Sequence, residues 1–162
     1  MSKITGSEQP AVVLLAEDNE ADQHLARRVL ARGVLRCDLR IVPNGEDALA
    51  YLRGQGAYAD RTVHPQPHLL LLDLHMPRKN GIEVLQAVKQ DPALKSIPTV
   101  MLTTSGADED LVGSYAAGCN SFVQKPVDLP EFISALEQLG VYWLKLVALP
   151  PVRASSQGPP ED

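Results

Sequence analysis

The chain alternates short apolar runs that end abruptly in polar residues with stretches of helical spacing. Ala11 to Ala16 is unbroken and rich in valine and leucine, as expected for a strand covered on both faces. Glu17, Asp18 and Asn19 stop it. From Ala21 to Arg32 the apolar positions Leu25, Val29 and Leu30 fall on one side of a helix, with Gly33 suited to its C-terminal cap. Asp38 to Val42 alternates weakly and predicts a second strand. Pro43-Asn44-Gly45 is turn chemistry, and Asn44 suits the N-cap of a helix running to about Arg53. Residues 54–67, punctuated by Gly54, Gly56, Pro65 and Pro67, predict a loop. His68 to Leu72 is the most hydrophobic short run and ends in Asp73. Helix over Gly81 to Gln90, strand over Thr99 to Leu102, helix over Asp110 to Ala117 and strand over Ser121 to Gln124 follow. A final helix is predicted from about Leu129 past Trp143.

Strands alternating with helices demand parallel pairing, right-handed crossovers and helices on both faces of one sheet. The fold class is therefore α/β, with five strands and five helices. A length of 162 residues, 44% hydrophobic and 22% charged, fits one well-buried domain. The expected division is a flexible leader over 1–10, the domain with its extended last helix over 11–149, and a disordered tail over 150–162 rich in Pro, Ser and Gly. A formal net charge of −5 argues against nucleic acid as the main partner. No apolar run approaches the ~20 residues of a membrane span, and the segment MSKITGSEQP has no apolar stretch behind it long enough to read as a signal region. Cys37 and Cys119 lack metal-ligand spacing and read as small buried hydrophobes in a reducing compartment. A cytoplasmic location is expected.

In parallel sheets ligands collect outside the carboxyl ends of the strands. Here those ends carry Glu17 and Asp18, then Asp73, then Thr103 and Thr104, then Lys125. Three converging carboxylates repel one another, and a hard divalent cation with oxygen ligands resolves that conflict. An aspartate beside Mg²⁺ is suited to attack phosphorus and form an acyl phosphate. Lys125 supplies a point charge for a phosphate oxygen, and Thr103 a hydroxyl at the same level.

The order Glu17-Asp18, Asp73, Thr103, Lys125-Pro126, together with the segment LLLLDLHMPRKNGIEVL, resembles the receiver domain of two-component response regulators. The resemblance covers about Ala11 to Trp143. It implies a flavodoxin-like (βα)₅ fold with strand order 2-1-3-4-5 and phosphorylation of Asp73 by a histidine kinase. It further implies Mg²⁺ bound by Asp18, Asp73 and the backbone carbonyl of His75, with Glu17 acting through water. Thr103 would be the switch hydroxyl, Phe122 the aromatic switch and Lys125 the phosphate contact. Tyr51-Leu52-Arg53 with the following loop, and the segment VYWLKLVALP, resemble stand-alone response regulators paired with bacterial phytochromes. A phytochrome-type kinase is the partner that this finer resemblance implies.

Each acid also has a structural reading as a helix cap or turn former, but capping does not explain a lysine at the last strand end. His75 reads equally as a lid or weak base over the acyl phosphate and as an exposed loop residue. His24, His64 and His68 receive no role. In the last helix one stripe holds Phe132, Leu136, Leu139 and Trp143, and a second holds Ile133, Gly140, Leu144 and Val147. One stripe suffices for a core, so the second predicts a homodimer through the last helix and its neighbours. Two other functions compete with the signalling receiver: a phosphohydrolase with an aspartyl-phosphate intermediate, and a degenerate binding scaffold. The hydrolase ordinarily needs a second acid where His75 stands, and a cap domain. The scaffold does not account for the intact acid, threonine and lysine set. The expectation is a phosphoacceptor that assists its own phosphorylation and dephosphorylation, with output through protein contacts.

Overall fold

Five parallel strands form one sheet in a computed structural model that describes residues 11–30, 37–104, 107, 110–113, 121–125 and 128–138. They are β1 (Ala11–Ala16), β2 (Cys37–Val42), β3 (Leu69–Asp73), β4 (Thr99–Thr103) and β5 (Ser121–Gln124). Their spatial order is β2-β1-β3-β4-β5, the expected 2-1-3-4-5. Between them run α1 (Glu20–Leu30), α2 (Gly45–Arg53) and α3 (Gly81–Gln90), with α4 (Leu129–Gln138) last. Residues 110–113 are helical as well.

The unbroken apolar runs become central strands because each must cover two faces. Val13 and Leu15 of β1 join Leu69, Leu71, Val100, Leu102 and Val123 in a core closed by Ala26 and Leu30 of α1 and by Phe132, Ala135 and Leu136 of α4. The alternate residues Leu14, Ala16, Leu70, Leu72 and Met101 face α2 and α3 in a second core with Leu49, Leu52, Val84, Leu85 and Val88. The period of two along each strand thus feeds two separate helix layers.

Local capping chemistry holds the helices in register. The Asn44 side chain accepts from Asp47 N–H at the start of α2. Asn80 and Glu83 form a reciprocal capping box at the start of α3. Gly54 ends α2 in the left-handed region at φ 64°.

The structure extends several predicted elements by one residue. Asp73 and Thr103 belong to their strands, since Asp73 pairs with Leu102 and Thr103 with Gln124. His68 lies outside β3, but is tied to β1: its N–H donates to Val12 O at 2.8 Å and its Nδ1 accepts from Val12 N–H at 2.9 Å. Cys37, expected to be buried, is half-buried because β2 is an edge strand. The loop over 54–67 contains a 3-10 turn at Gly56–Tyr58. Cys119, the predicted cap at Gly33, the helix beyond 113, the last helix beyond Gln138, the leader and the tail lie outside the described residues.

Candidate functional site

Parallel pairing puts all the strand ends on one edge, and the polar residues that stop the apolar runs meet there. Glu17 follows β1 directly and keeps the ladder going, its N–H donating to Val42 O at 3.0 Å. Its side chain is 1% exposed. One oxygen, Oε2, accepts from Asn19 N–H at 3.1 Å. Asp18, next in sequence, is exposed. Asp73 closes β3 and is buried, as is Thr103 at the end of β4. Lys125 follows β5, its N–H donating to Thr103 O at 2.6 Å.

Glu17, Asp18 and Asp73 each offer a carboxylate oxygen within 4.8 Å of the others. Opposed ligands of a Mg²⁺ octahedron stand about 4 Å apart, so small side-chain rotations bring this set to a cation. The Lys125 ammonium stands 2.7 Å from Asp22 Oδ2, 3.1 Å from Glu17 Oε1 and 3.3 Å from Asp73 Oδ1. The last of these is an ion-pair contact without hydrogen-bond alignment. Asp73 Oδ1 and Thr103 Oγ1 are buried with no hydrogen-bond partner. Unsatisfied buried oxygens cost about 1–3 kcal/mol each, and a site for a cation and an anionic group uses both.

The electrostatics follow from crowding acids in a dry corner. Burial, and then the Asp73 charge, push the Glu17 carboxyl up to about 7, against the Asn19 N–H and Lys125. Burial also raises Asp73, while Lys125, Glu17 and a backbone hydrogen bond at His75 oppose the rise. Both carboxyls hold a proton more tightly than isolated ones do, chiefly because burial disfavours their charged forms. Burial alone would lower Lys125, but Asp22, Asp73 and Glu17 outweigh it and hold the ammonium above the ordinary lysine range.

The predicted residues therefore separate into two groups. Glu17, Asp18, Asp73 and Lys125 come together, and Thr103 ends the neighbouring strand. Thr103 is fully buried whereas Thr104 is exposed. Phe122 is half-buried and packs on the α2 and α3 side. By the alternation of β4, Thr103 shares that side with Met101, which pairs with Phe122. The His75 side chain is exposed.

Two participants escaped the sequence reading. Asp22 makes the shortest contact to Lys125. An acid in the first turn of a helix reads as a partner of the helix dipole, so nothing local set Asp22 apart. The pair Arg78 and Lys79, at φ 51° and 80°, forms a left-handed turn between the acceptor strand and α3, and no local feature marks either position for such strain. Gly45 makes room for this turn, since a Cβ there would overlap the Lys79 carbonyl, and Arg78 O accepts from Glu46 N–H at 2.8 Å.

Comparison with known proteins agrees with this architecture. Residues 13–137 match the family model for the response regulator receiver domain. Response regulator Rcp1 of Synechocystis sp. is 40% identical over 144 residues, covering 89% of this chain and 96% of that protein. Among solved structures, the bacteriophytochrome response regulator AtBRR superposes with a TM-score of 0.78 at 41% identity, covering 83% of this chain and 96% of the other. The Mn(2+)-bound form of Rcp1 superposes at 0.66 and 40% identity, covering 87% and 99%. With its strand order, its acidic strand ends and a family match over most of its length, the chain belongs to the response regulator receiver domain family.

Proposed function

We propose that Asp73 accepts a phosphoryl group from a phosphohistidine of a histidine kinase, and that signalling proceeds through the conformational change and protein contacts that follow. The observation that carries this reading is the setting of Asp73. It is a buried carboxylate at a strand end, with two further carboxylates within reach and an Oδ1 that makes no hydrogen bond but stands 3.3 Å from an ammonium. In the transfer, an Asp73 oxygen forms a bond to phosphorus as the donor's P–N bond breaks. The departing imidazole nitrogen keeps the bonding pair and takes a proton from water.

The carboxylates of Glu17, Asp18 and Asp73 fit Mg²⁺; Asp18, Asp73 and the His75 backbone carbonyl would hold it, with Glu17 acting through water. Bound there, the ion neutralises charge on the transferring phosphoryl group. Lys125 then meets one phosphoryl oxygen and the Thr103 hydroxyl donates to another. Phe122 follows Thr103 inward, which favours a conformer with a reshaped surface around residues 110–113. The chain acts as a phosphoacceptor and not as a turnover enzyme.

Likeness to a bacteriophytochrome response regulator supports a phytochrome-type kinase as the donor. A homodimer through the last helix is part of the same reading. Phe132 and Leu136 fill the core, while Ile133 on the next stripe stays only half-buried.

Radiolabelled phosphotransfer from phytochrome-type histidine kinases tests the proposal. Mg²⁺-dependent label is expected on the wild type and none on Asp73→Asn. Equal labelling of Asp73→Asn, or no labelling of the wild type by any kinase or by a small phosphodonor, rejects it. Sedimentation velocity at micromolar concentration should show a two-chain species. A monomer both with and without a phosphoryl mimic removes the dimer from the reading.

A further inference from the structure

Lys125 has three N–H donors, and the fold surrounds its ammonium with three carboxylates. Two of them are engaged by the proposed chemistry, since Asp73 carries the phosphoryl group and Glu17 turns to the cation. Asp22 is not. It makes the shortest of the three contacts, at 2.7 Å. It is also held firmly for a surface residue. Its backbone N–H donates to Asn19 Oδ1 at 3.0 Å, and the neighbouring Gln23 Nε2 donates to Glu17 O at 2.6 Å. The first turn of α1 is thereby fastened to the end of β1.

The pair closes a cleft whose apolar walls are Leu15, Leu25, Ala26 and Leu102. The Lys125 side chain is 12% exposed and that of Asp22 30%. Low local polarity strengthens the attraction compared with a pair in open water. Thr103 Oγ1, by contrast, is uncommitted. Of the two donors that a phosphoryl group would meet, one is free and the other is held.

Resting on the reading of Asp73 as acceptor, we propose that Asp22 is a positioning residue: it holds the Lys125 ammonium on the α1 side of the pocket and competes with the phosphoryl group for it. Removing the Asp22 charge then leaves Lys125 free for the phosphate, so the phosphorylated form gains relative to the unphosphorylated one. The size follows from a partly screened ion pair, about three- to tenfold in the affinity for a phosphoryl mimic.

The experiment is titration of the full chain with beryllium fluoride in saturating Mg²⁺, followed by side-chain ¹⁵N resonances of lysine. Asp22→Asn should bind three- to tenfold more tightly than wild type, and Asp22→Glu should return toward wild-type affinity. In a Lys125→Met background Asp22→Asn should change nothing, because the effect runs through the lysine. The Lys125 ammonium resonance should also move in the metal-free Asp22→Asn protein. Unchanged or weaker binding by Asp22→Asn overturns the proposal, as does an equal effect in the Lys125→Met background. Asp22→Ala reports the same competition if Asp22→Asn folds poorly. Failure of the wild type to bind, or binding that survives Asp73→Asn, overturns the acceptor reading and this one with it. Binding confined to Asp73-containing chains but indifferent to Asp22 overturns this one alone.

Discussion

At the scale of single residues, the acceptor's position depends on a glycine with no chemistry of its own. A Cβ at Gly81 would come within 2.5 Å of the Asp73 carbonyl oxygen and 2.9 Å of Met101 Cε. The methionine end can swing away, but the carbonyl cannot move without taking Asp73 with it. Gly81→Ala is therefore expected to cost about 1–3 kcal/mol in urea unfolding, as overpacked positions do. It should slow phosphotransfer as well. Wild-type stability together with wild-type transfer would show that the close approach has no consequence. The acceptor motif was legible because Asp73 ends the most apolar run at the same sheet edge as the other polar strand ends, a pattern that capping alone does not explain. The Gly81 contact was not legible, since it joins a helix start to a backbone oxygen eight residues earlier.

At the scale of elements, strand and helix positions followed from periodicity to within a residue or so, and the cap at Asn44 from turn chemistry. The loop over 54–67 was legible only as irregular. Its order comes from Arg61, which donates to Tyr51 O at 2.7 Å, Leu52 O at 2.7 Å, His64 O at 2.9 Å and Gln66 Oε1 at 3.1 Å. The guanidinium thus adds a second donor to Tyr51 O, which already accepts from Gly54 N–H at 3.1 Å, and bonds Leu52 O at the end of α2, with the Tyr51 ring beneath it at 5.8 Å. Tyr51 in turn donates to Pro65 O at 3.0 Å, and its ring meets those of Tyr58 and His64. Arg61→Met should lose about 2 kcal/mol, the scale of buried hydrogen bonds from a charged donor. Protease cleavage within 54–67 should rise. Phosphotransfer should be unaffected, because this loop precedes β3 and lies at the sheet edge opposite Asp73. A stability loss below about 0.5 kcal/mol, typical of neutral surface changes, would show that the contacts are incidental.

At the scale of the whole molecule, the crowded acids couple folding to pH and to divalent cations. Unfolded glutamate ionises near its ordinary value of about 4.3, whereas Glu17 in the folded, metal-free protein holds its proton to about 7. Its stabilising contribution is complete below the unfolded value and is lost as pH rises through 7. Asp73 is shifted in the same direction. Lys125, raised as well, keeps its contribution until pH exceeds the ordinary lysine range. In chelator, the urea midpoint should therefore fall between pH 5.5 and 8, and Glu17→Gln should flatten that fall. Mg²⁺ should reverse it, since the cation requires the charged carboxylates. At a hundred times its Kd a ligand adds about 2.7 kcal/mol. A flat profile in chelator, or equal stabilisation by Mg²⁺ at both pH values, would contradict the coupling. No helix among the described residues is long and apolar enough to cross a membrane.

The sequence by itself determined the α/β class, the succession of elements and the polar residues that stop the strands. All of these are local properties: period, run length and turn chemistry act over a few neighbours. It also singled out Glu17, Asp18, Asp73, Thr103 and Lys125, because parallel pairing sends every strand end to one edge whatever the details of packing. Only the tertiary structure decided how these groups share charge. Which carboxylates take the three donors of Lys125, that Thr103 Oγ1 stays unpartnered, and that Glu17 is driven toward neutrality depend on distances of a few ångströms between segments as much as a hundred residues apart. Coulomb and desolvation energies change steeply over such distances, and a one-dimensional pattern does not carry them.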